Sequence, residues 1–438
     1  MRVPETLSTA FGQPFQDLLS EFLRADGLLA GDEDLSARRF LTRSVVPHVE
    51  KLSSLFNRLD ASADCTELQR YWKNSSNPTN FRLAYFLSFM PPNLYRIAGI
   101  WAELARLGYR WKGGPLLRAI DFGAGPATAT CGVAAGEKYS PLGLPEHGNW
   151  ALIEQDKAVL KMGMDWTALY LPFLDSSEKK TDWEMRPFHR TLEFDRPLLP
   201  RGAPRFNLWM MSFFLNEATS PDASQALAEK LLDAWENHLE DEALIVLVEP
   251  ALKMFSRRLL TLRQNLLQEA ERRGTIPLQI LTPCLGHQAC GALAKPDDWC
   301  HEEVMWWRPP YLRVLDELTK LDRKSLPFSY LVLTKSSRKR EELLPVIGGF
   351  NSAKRERLVS PVHWGGPNQE FYVCGERGKR RGRYKSKAKE RDEAAAGPPS
   401  DLGADADTLE LQRGSILLDY DQDVIGRDLE IKKLRLKV

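Results

Sequence analysis

A series of short apolar runs constrains the fold most: LLRAIDFG, WALIE, FNLWMMSFF, EALIVLVEP and SYLVLTK, set between residues 116 and 335 with helix-compatible segments between them. Runs this short that are apolar on both alternations have no polar face to turn to water, so each implies a strand covered on both sides. The intervening helical segments supply that cover and the crossovers, which implies βα units and a mostly parallel sheet in an α/β domain. LQIL at 278–281 is a further strand candidate. Up to about residue 110 the pattern is helical instead, with Phe81, Leu83, Ala84, Phe86 and Leu87, then Leu94, Ile97, Ala98, Trp101 and Leu104 at spacings of three and four. Pro91 and Pro92 lack amide hydrogens and predict a break between two helices, and Gly108 is placed to close the second.

Directly after LLRAI the chain reads Asp121-Phe122-Gly123-Ala124-Gly125-Pro126-Ala127-Thr128. Glycines are needed where a strand turns sharply into a helix and where a ligand approaches backbone with no Cβ in the way. Pro126 is expected in the first helical turn. The leading acid followed by two glycines resembles the S-adenosylmethionine motif of class I methyltransferases more than a nicotinamide fingerprint, which wants a further glycine where Thr128 stands. A second acid should end the next strand to accept hydrogen bonds from ribose hydroxyls, and Glu154 holds that place, beyond the turn-rich PLGLPEHG. A purely structural strand-to-helix turn is the alternative. FNLWMMSFF is the fourth strand in this order. It carries no Asn/Asp-Pro-Pro-aromatic sequence for an exocyclic amine, and no Pro-Cys nucleophile follows it. Pro283-Cys284 comes after the fifth strand, which argues against that role, and Asn216 and Glu217 are the candidates for a group near the methyl position.

Cys284, Cys290 and Cys300 lie at spacings C-x5-C-x9-C, and Cys374 stands in FYVCGER. Thiolates suit zinc or an iron–sulfur cluster. No CxxC knuckle occurs, and wider loops fit a bulkier cluster, while His287 and His301 leave a mixed Cys/His zinc site open and buried unligated cysteines are the plainer alternative. Cys65 and Cys131 read as packing residues. Six cysteines in 438 residues are too sparse for a disulfide scaffold.

With 60 Lys+Arg against 59 Asp+Glu the chain has no global field toward nucleic acid or membrane, so any basic surface is local. Residues 377–391 supply one, with nine Lys or Arg, one acid and an interleaved Tyr384. The glycines there predict an irregular basic loop able to neutralise phosphates or stack a base, against a merely solvated loop. AAAGPPSDLGADAD reads as a flexible linker. The N-terminal stretch has acids at Glu5 and Asp17 and no signal-peptide core, and no apolar run reaches the roughly 18 residues a bilayer span needs, so a cytoplasmic location without membrane is expected.

The set RLAYFLSFMPPNLYRIAGIWAEL, DFGAGPATAT, SFFLNEA, VLVEP, PC-x5-C with DWCH, and RLVSP followed by FYVCGERGKRR resembles the mitochondrial small-ribosomal-subunit methyltransferase-like assembly factors and their bacterial relatives, over roughly residues 80 to 390. The resemblance implies a class I (Rossmann-like) methyltransferase fold and association with the small ribosomal subunit or its rRNA, with no DNA partner. It implies S-adenosylmethionine at Asp121, Gly123, Gly125 and Glu154, and a 4Fe-4S cluster on Cys284, Cys290, Cys300 and Cys374, with zinc as the alternative metal. The expected organisation is an N-terminal helical region (1–110), a methyltransferase-like domain (111–336) with a cysteine-bearing insert (282–326), a small basic β segment (337–392), and a linker and tail (393–438). Three readings stay open here: an active rRNA methyltransferase, a non-catalytic assembly factor with a vestigial pocket, and a small-molecule methyltransferase, which the basic segment disfavours.

Overall fold

A computed structural model describes residues 1–62, 78–176, 180–192, 196–214, 223–351, 354–365, 368–385, 411–425 and 428–437. It divides into two compact units, one of residues 1–283 and 293–348, the other of 284–292 and 349–438.

The first unit opens with helices α1 (Glu5–Ala10), α2 (Gln13–Ala25), α3 (Arg38–Ser44), α4 (Val46–Ser62) and α5 (Pro78–Arg106). Its sheet holds β1 (Leu117–Phe122), β2 (His147–Glu154), β3 (Asp182–His189), β4 (Phe206–Ser212), β5 (Leu239–Pro250), β6 (Leu278–Thr282), β7 (Glu302–Met305) and β8 (Ser325–Lys335). The order is β3-β2-β1-β4-β5-β8-β6, with β7 beside β8. The first five strands run parallel, and β8 runs antiparallel to both β5 and β6. A parallel sheet with one reversed strand next to its edge is the class I methyltransferase arrangement. Helices α6 (Thr128–Tyr139), α7 (Lys157–Leu174), α8 (Ala223–His238) and α9 (Lys253–Arg273) make the crossovers. β4 is buried along nearly its whole length, as its apolar run demands. β3 is an exposed edge, so its sequence DWEMRPFH shows no apolar run.

Helix α5 is continuous through Pro91 and Pro92, where the sequence predicts a break. Two prolines in a helix leave the carbonyls four residues earlier without their amide donors. Those are Leu87 and Ser88, and both find side-chain donors: Tyr311 Oη donates to the Leu87 carbonyl at 2.8 Å and Arg323 Nη1 to that of Ser88 at 2.8 Å. Tyr311 lies in the first turn of α10 (Pro310–Thr319), whose Asp316 pairs with Arg323 at 2.5 Å. Short helices α11 (Arg340–Leu343) and α12 (Pro345–Gly348) end the unit.

The second unit holds β9 (Glu356–Leu358), β10 (His363–Gly365), β11 (Asn368–Gly375), β12 (Gly378–Lys385), β13 (Ile416–Ile425) and β14 (Asp428–Lys437). β11 pairs with β9 and β12, β12 with β14 in parallel, β14 with β13, and β13 returns to β9, closing a five-stranded ring to which β10 adds beside β11. Leu358, Phe371, Val373, Leu411, Leu417, Leu429 and Ile431 fill it. The basic stretch 378–385 is therefore a strand and not the irregular loop its glycines suggest: Gly382 stands where a Cβ would meet the Phe371 ring at 2.5 Å, so this glycine serves the packed interior. The C-terminal residues expected to be a tail supply β13 and β14.

Candidate functional site

β1 and β4 are neighbours, yet the chain leaves β1 toward β2 on its other side, so the strand order reverses at the carboxyl end of β1. Crevices at such reversals are where open α/β sheets bind ligands. Here the turn Gly123–Ala127 lies in that place. Gly123 (φ +70°) and Gly125 (φ +52°) occupy the left-handed region. Ala127 (φ 55°) does so too and caps α6, which begins at Thr128. Pro126 thus precedes the helix instead of entering its first turn, because the left-handed Ala127 separates them. The Gly123 and Ala124 amides donate to the Ile153 carbonyl at 3.0 Å each, tying the turn to the end of β2.

Glu154 closes the turn from the same strand end. Its carboxylate accepts from the Gly125 amide at 2.9 Å and from the Asp156 amide at 2.9 Å. A carboxylate offers about four lone-pair sites, so Glu154 has capacity for a further donor. Burial pushes the Glu154 carboxyl up, and the amide hydrogen bonds pull against it. Asp156 caps α7 by accepting from the Ala158 and Val159 amides, and pairs with Arg82 of α5 at 3.1 Å.

Asp121 ends β1 only 1% exposed, and neither carboxyl oxygen has a hydrogen-bond partner among the described residues. Burial, with the Glu154 charge beside it, raises its carboxyl well above the usual range. Arg96 of α5 shows the converse. Its guanidinium is bonded to Asn93 and lies 5.9 Å from the Phe213 ring centroid, with Nε unpartnered among the described residues. Burial and the neighbouring Arg323 charge lower Arg96 to about 9.

These groups share one cavity of about 580 Å³ within the first unit. Asp121, Gly123, Gly125 and Glu154 line it together, and Arg96, Arg323, Phe213 and Trp299 form other parts of its wall. The Trp299 and Ser212 polar atoms facing no partner among the described residues add to the unsatisfied lining. Such a cavity is in the size range of small-molecule sites. The sequence points to the acids and glycines and not to Arg96. Its signal was a lone cation in the apolar stretch Leu94-Tyr95-Arg96-Ile97-Ala98. Asn216 and Glu217 lie outside the described residues.

The cysteines divide between the units. Cys300 stands in the first, between Trp299 and His301, whose rings stack with centroids 6.2 Å apart and which both line the cavity. Cys284, Cys290 and Cys374 belong to the second. There, a Cβ on Gly291 would meet Lys379 Cβ at 2.7 Å, and Lys379 is the register partner of Cys374. The segment bearing Cys290 thus lies against the hairpin bearing Cys374. All four are half-buried thiols outside any disulfide, the donor chemistry a cluster or zinc takes. Among the described residues no three His, Cys, Asp or Glu side chains are gathered as a metal site. Cys131 is buried on α6, and Cys65 lies outside the described residues. No helix among the described residues is long and apolar enough to cross a membrane.

The family model described as mitochondrial small ribosomal subunit Rsm22 matches residues 83–395. No curated protein matches the sequence. Among solved structures, a precorrin-6y C5,15-methyltransferase from Geobacter metallireducens is similar at 11% identity, with 55% of this chain and 88% of that one covered and a TM-score of 0.28. An O-methyltransferase from Bacillus cereus in complex with SAH is similar at 9% identity, covering 62% of this chain and 98% of that one, with a TM-score of 0.30.

Proposed function

Because the chain belongs to the mitochondrial small ribosomal subunit Rsm22 family, with the model spanning residues 83–395, we propose that it binds S-adenosylmethionine at the glycine turn and works with the small ribosomal subunit or its rRNA. The observation that carries the cofactor part is the buried Asp121, without a partner among the described residues, in the same cavity as the turn. Burial holds Asp121 toward its neutral form, and a ligand ammonium beside it would favour the ionised form and give its oxygens a partner. S-adenosylmethionine has the matching groups: ribose hydroxyls for Glu154, an ammonium for Asp121 and a carboxylate for Arg96. Gly123 and Gly125 leave the backbone open to it. Bound there, the cofactor supplies an electrophilic methyl group. The residues named here bind and orient it.

Calorimetry on the full chain tests this reading with S-adenosylhomocysteine and with 5′-methylthioadenosine, which lacks the amino-acid part. The first should bind at least about tenfold more tightly, the worth of one good hydrogen bond to a charged group. Equal affinities would remove Asp121 and Arg96 from the reading, and no binding of either would leave the cavity without this role.

Cys284, Cys290, Cys300 and Cys374 would hold the metal group, a 4Fe-4S cluster ahead of zinc. What supports it is the family resemblance and the donor chemistry of four thiols outside disulfides. A cluster would supply a cross-link sensitive to oxidation. Anaerobic purification followed by iron, sulfide and zinc analysis tests it, with each Cys→Ser variant expected to lower iron and sulfide. Stoichiometric zinc without iron would replace the cluster with the zinc alternative.

A further inference from the structure

With β9 and β10 counted together as the first strand and β11 to β14 as the second to fifth, the ring of the second unit runs first–second–third–fifth–fourth–first, its third and fifth strands parallel. That is the connectivity of the oligonucleotide-binding barrel, which takes its ligands across the outer face of the second and third strands. In this chain those strands are β11 and β12. A shared fold does not assign a ligand, so the residues on that face must decide.

Strand alternation places them. Phe371 and Val373 are buried in the barrel, so Glu370, Tyr372 and Cys374 stand on the other face of β11. Their register partners on β12 are Arg383, Arg381 and Lys379, which share that face. Tyr372 is 46% exposed, and the Lys379 ammonium lies 5.3 Å from its ring centroid. Arg381 and Arg383 both pair with Glu370, at 2.6 and 3.3 Å, and both remain 40% exposed. Among the described residues of β11 and β12, strand alternation thus places one carboxylate and three cations on this strip, around an accessible aromatic ring. Arg380, which points inward, is paired with Glu356 in the interior and has no part in the face.

We propose that the outer face of β11 and β12 binds single-stranded RNA, with Tyr372 stacking on an unpaired base and Lys379, Arg381 and Arg383 meeting the flanking phosphates. This rests on the small-subunit reading above and gives it a surface and a substrate class. An unpaired strand is the occupant because stacking needs an open base face, which a duplex covers on both sides. A side chain at every second strand position supplies charge along a backbone and no element shaped to enter a groove.

The test uses the full chain and fluorescence anisotropy with labelled oligouridylate and a labelled RNA hairpin. Wild type should bind oligouridylate more tightly than the duplex stem. Tyr372→Ala should weaken that binding by roughly 5- to 150-fold, the range of one base–aromatic stack, while Tyr372→Phe retains it. Arg381→Gln with Arg383→Gln should lower the slope of log affinity against log salt by about 1.4, two single-strand phosphate contacts. The salt slope reads the face independently should Tyr372→Ala fold poorly. If wild type binds oligouridylate and all these variants match it, or if wild type prefers the duplex, the face assignment is overturned while the RNA reading stands. If wild type binds no RNA, the face assignment and the rRNA part of the reading are both overturned.

Discussion

Asp121 in the first unit and Arg380 in the second are both ionisable side chains removed from water, yet their surroundings differ. Asp121 is 1% exposed, with no partner for either oxygen among the described residues and a second acid nearby. Arg380, its side chain 8% exposed, pairs with Glu356, which is wholly buried; burial pushes that acid up and Arg380 pulls it back. A buried charge that meets its opposite within the fold marks architecture. A buried orphan does not, and marks the place where something else arrives. The same contrast separates Arg380 from Arg381, one residue on: the first is part of the barrel interior and the second stands on its outer face.

The largest effect that would sharpen this contrast is expected from Gly125→Asp. It puts a side chain and a like charge beside Glu154 at φ +52°, so calorimetry should detect no S-adenosylhomocysteine binding. Retained binding would show that the cavity is not the cofactor site. Next comes Arg380→Ala, which strands Glu356 and should destabilise the second unit by about 3–5 kcal/mol, read by hydrogen exchange of the β9 and β12 amides. Arg381→Ala, on the exposed face, should change it by no more than about 0.5 kcal/mol. Comparable losses from the two would erase the distinction between interior and face.

Smaller, but more telling about Asp121, is its pH dependence. Its folded-state carboxyl holds its proton to higher pH than the unfolded one. The stability it contributes is therefore full below the ordinary carboxylate range and is lost as pH rises through the raised value. Asp121→Asn should melt above wild type by a margin that widens with pH across that window. Over the same window wild-type affinity for S-adenosylhomocysteine should rise, as the ionised carboxylate becomes available to the ammonium, and the Asn variant should show no such rise. A flat wild-type profile would deny Asp121 the ligand contact. Tyr311→Phe removes the donor to the Leu87 carbonyl and should cost about 1–3 kcal/mol in thermal or denaturant unfolding. Absence of that cost would mean that the helix tolerates the proline pair without outside donors.

The amino-acid order by itself determined the strands whose burial on both faces leaves an unbroken apolar run, β1, β2, β4, β5, β6 and β8, and the glycine turn that follows β1 with its two acids. Those features are local: the residues that carry them also impose them. Tertiary structure decided the rest. Helix α5 passes through Pro91 and Pro92 because Tyr311 and Arg323, more than two hundred residues away in sequence, donate to the carbonyls the prolines leave bare. The stretch 378–385 is a strand because β11 and β14 offer it two ladders, and β14 comes from a terminal segment with no run to announce it. Arg96 acquires its place in the cavity through the packing of α5, and its one sign in the sequence is a cation among apolar neighbours. Long-range partners supply the hydrogen bonds and the burial in each of these cases, and neither can be read from a residue's own neighbours in the chain.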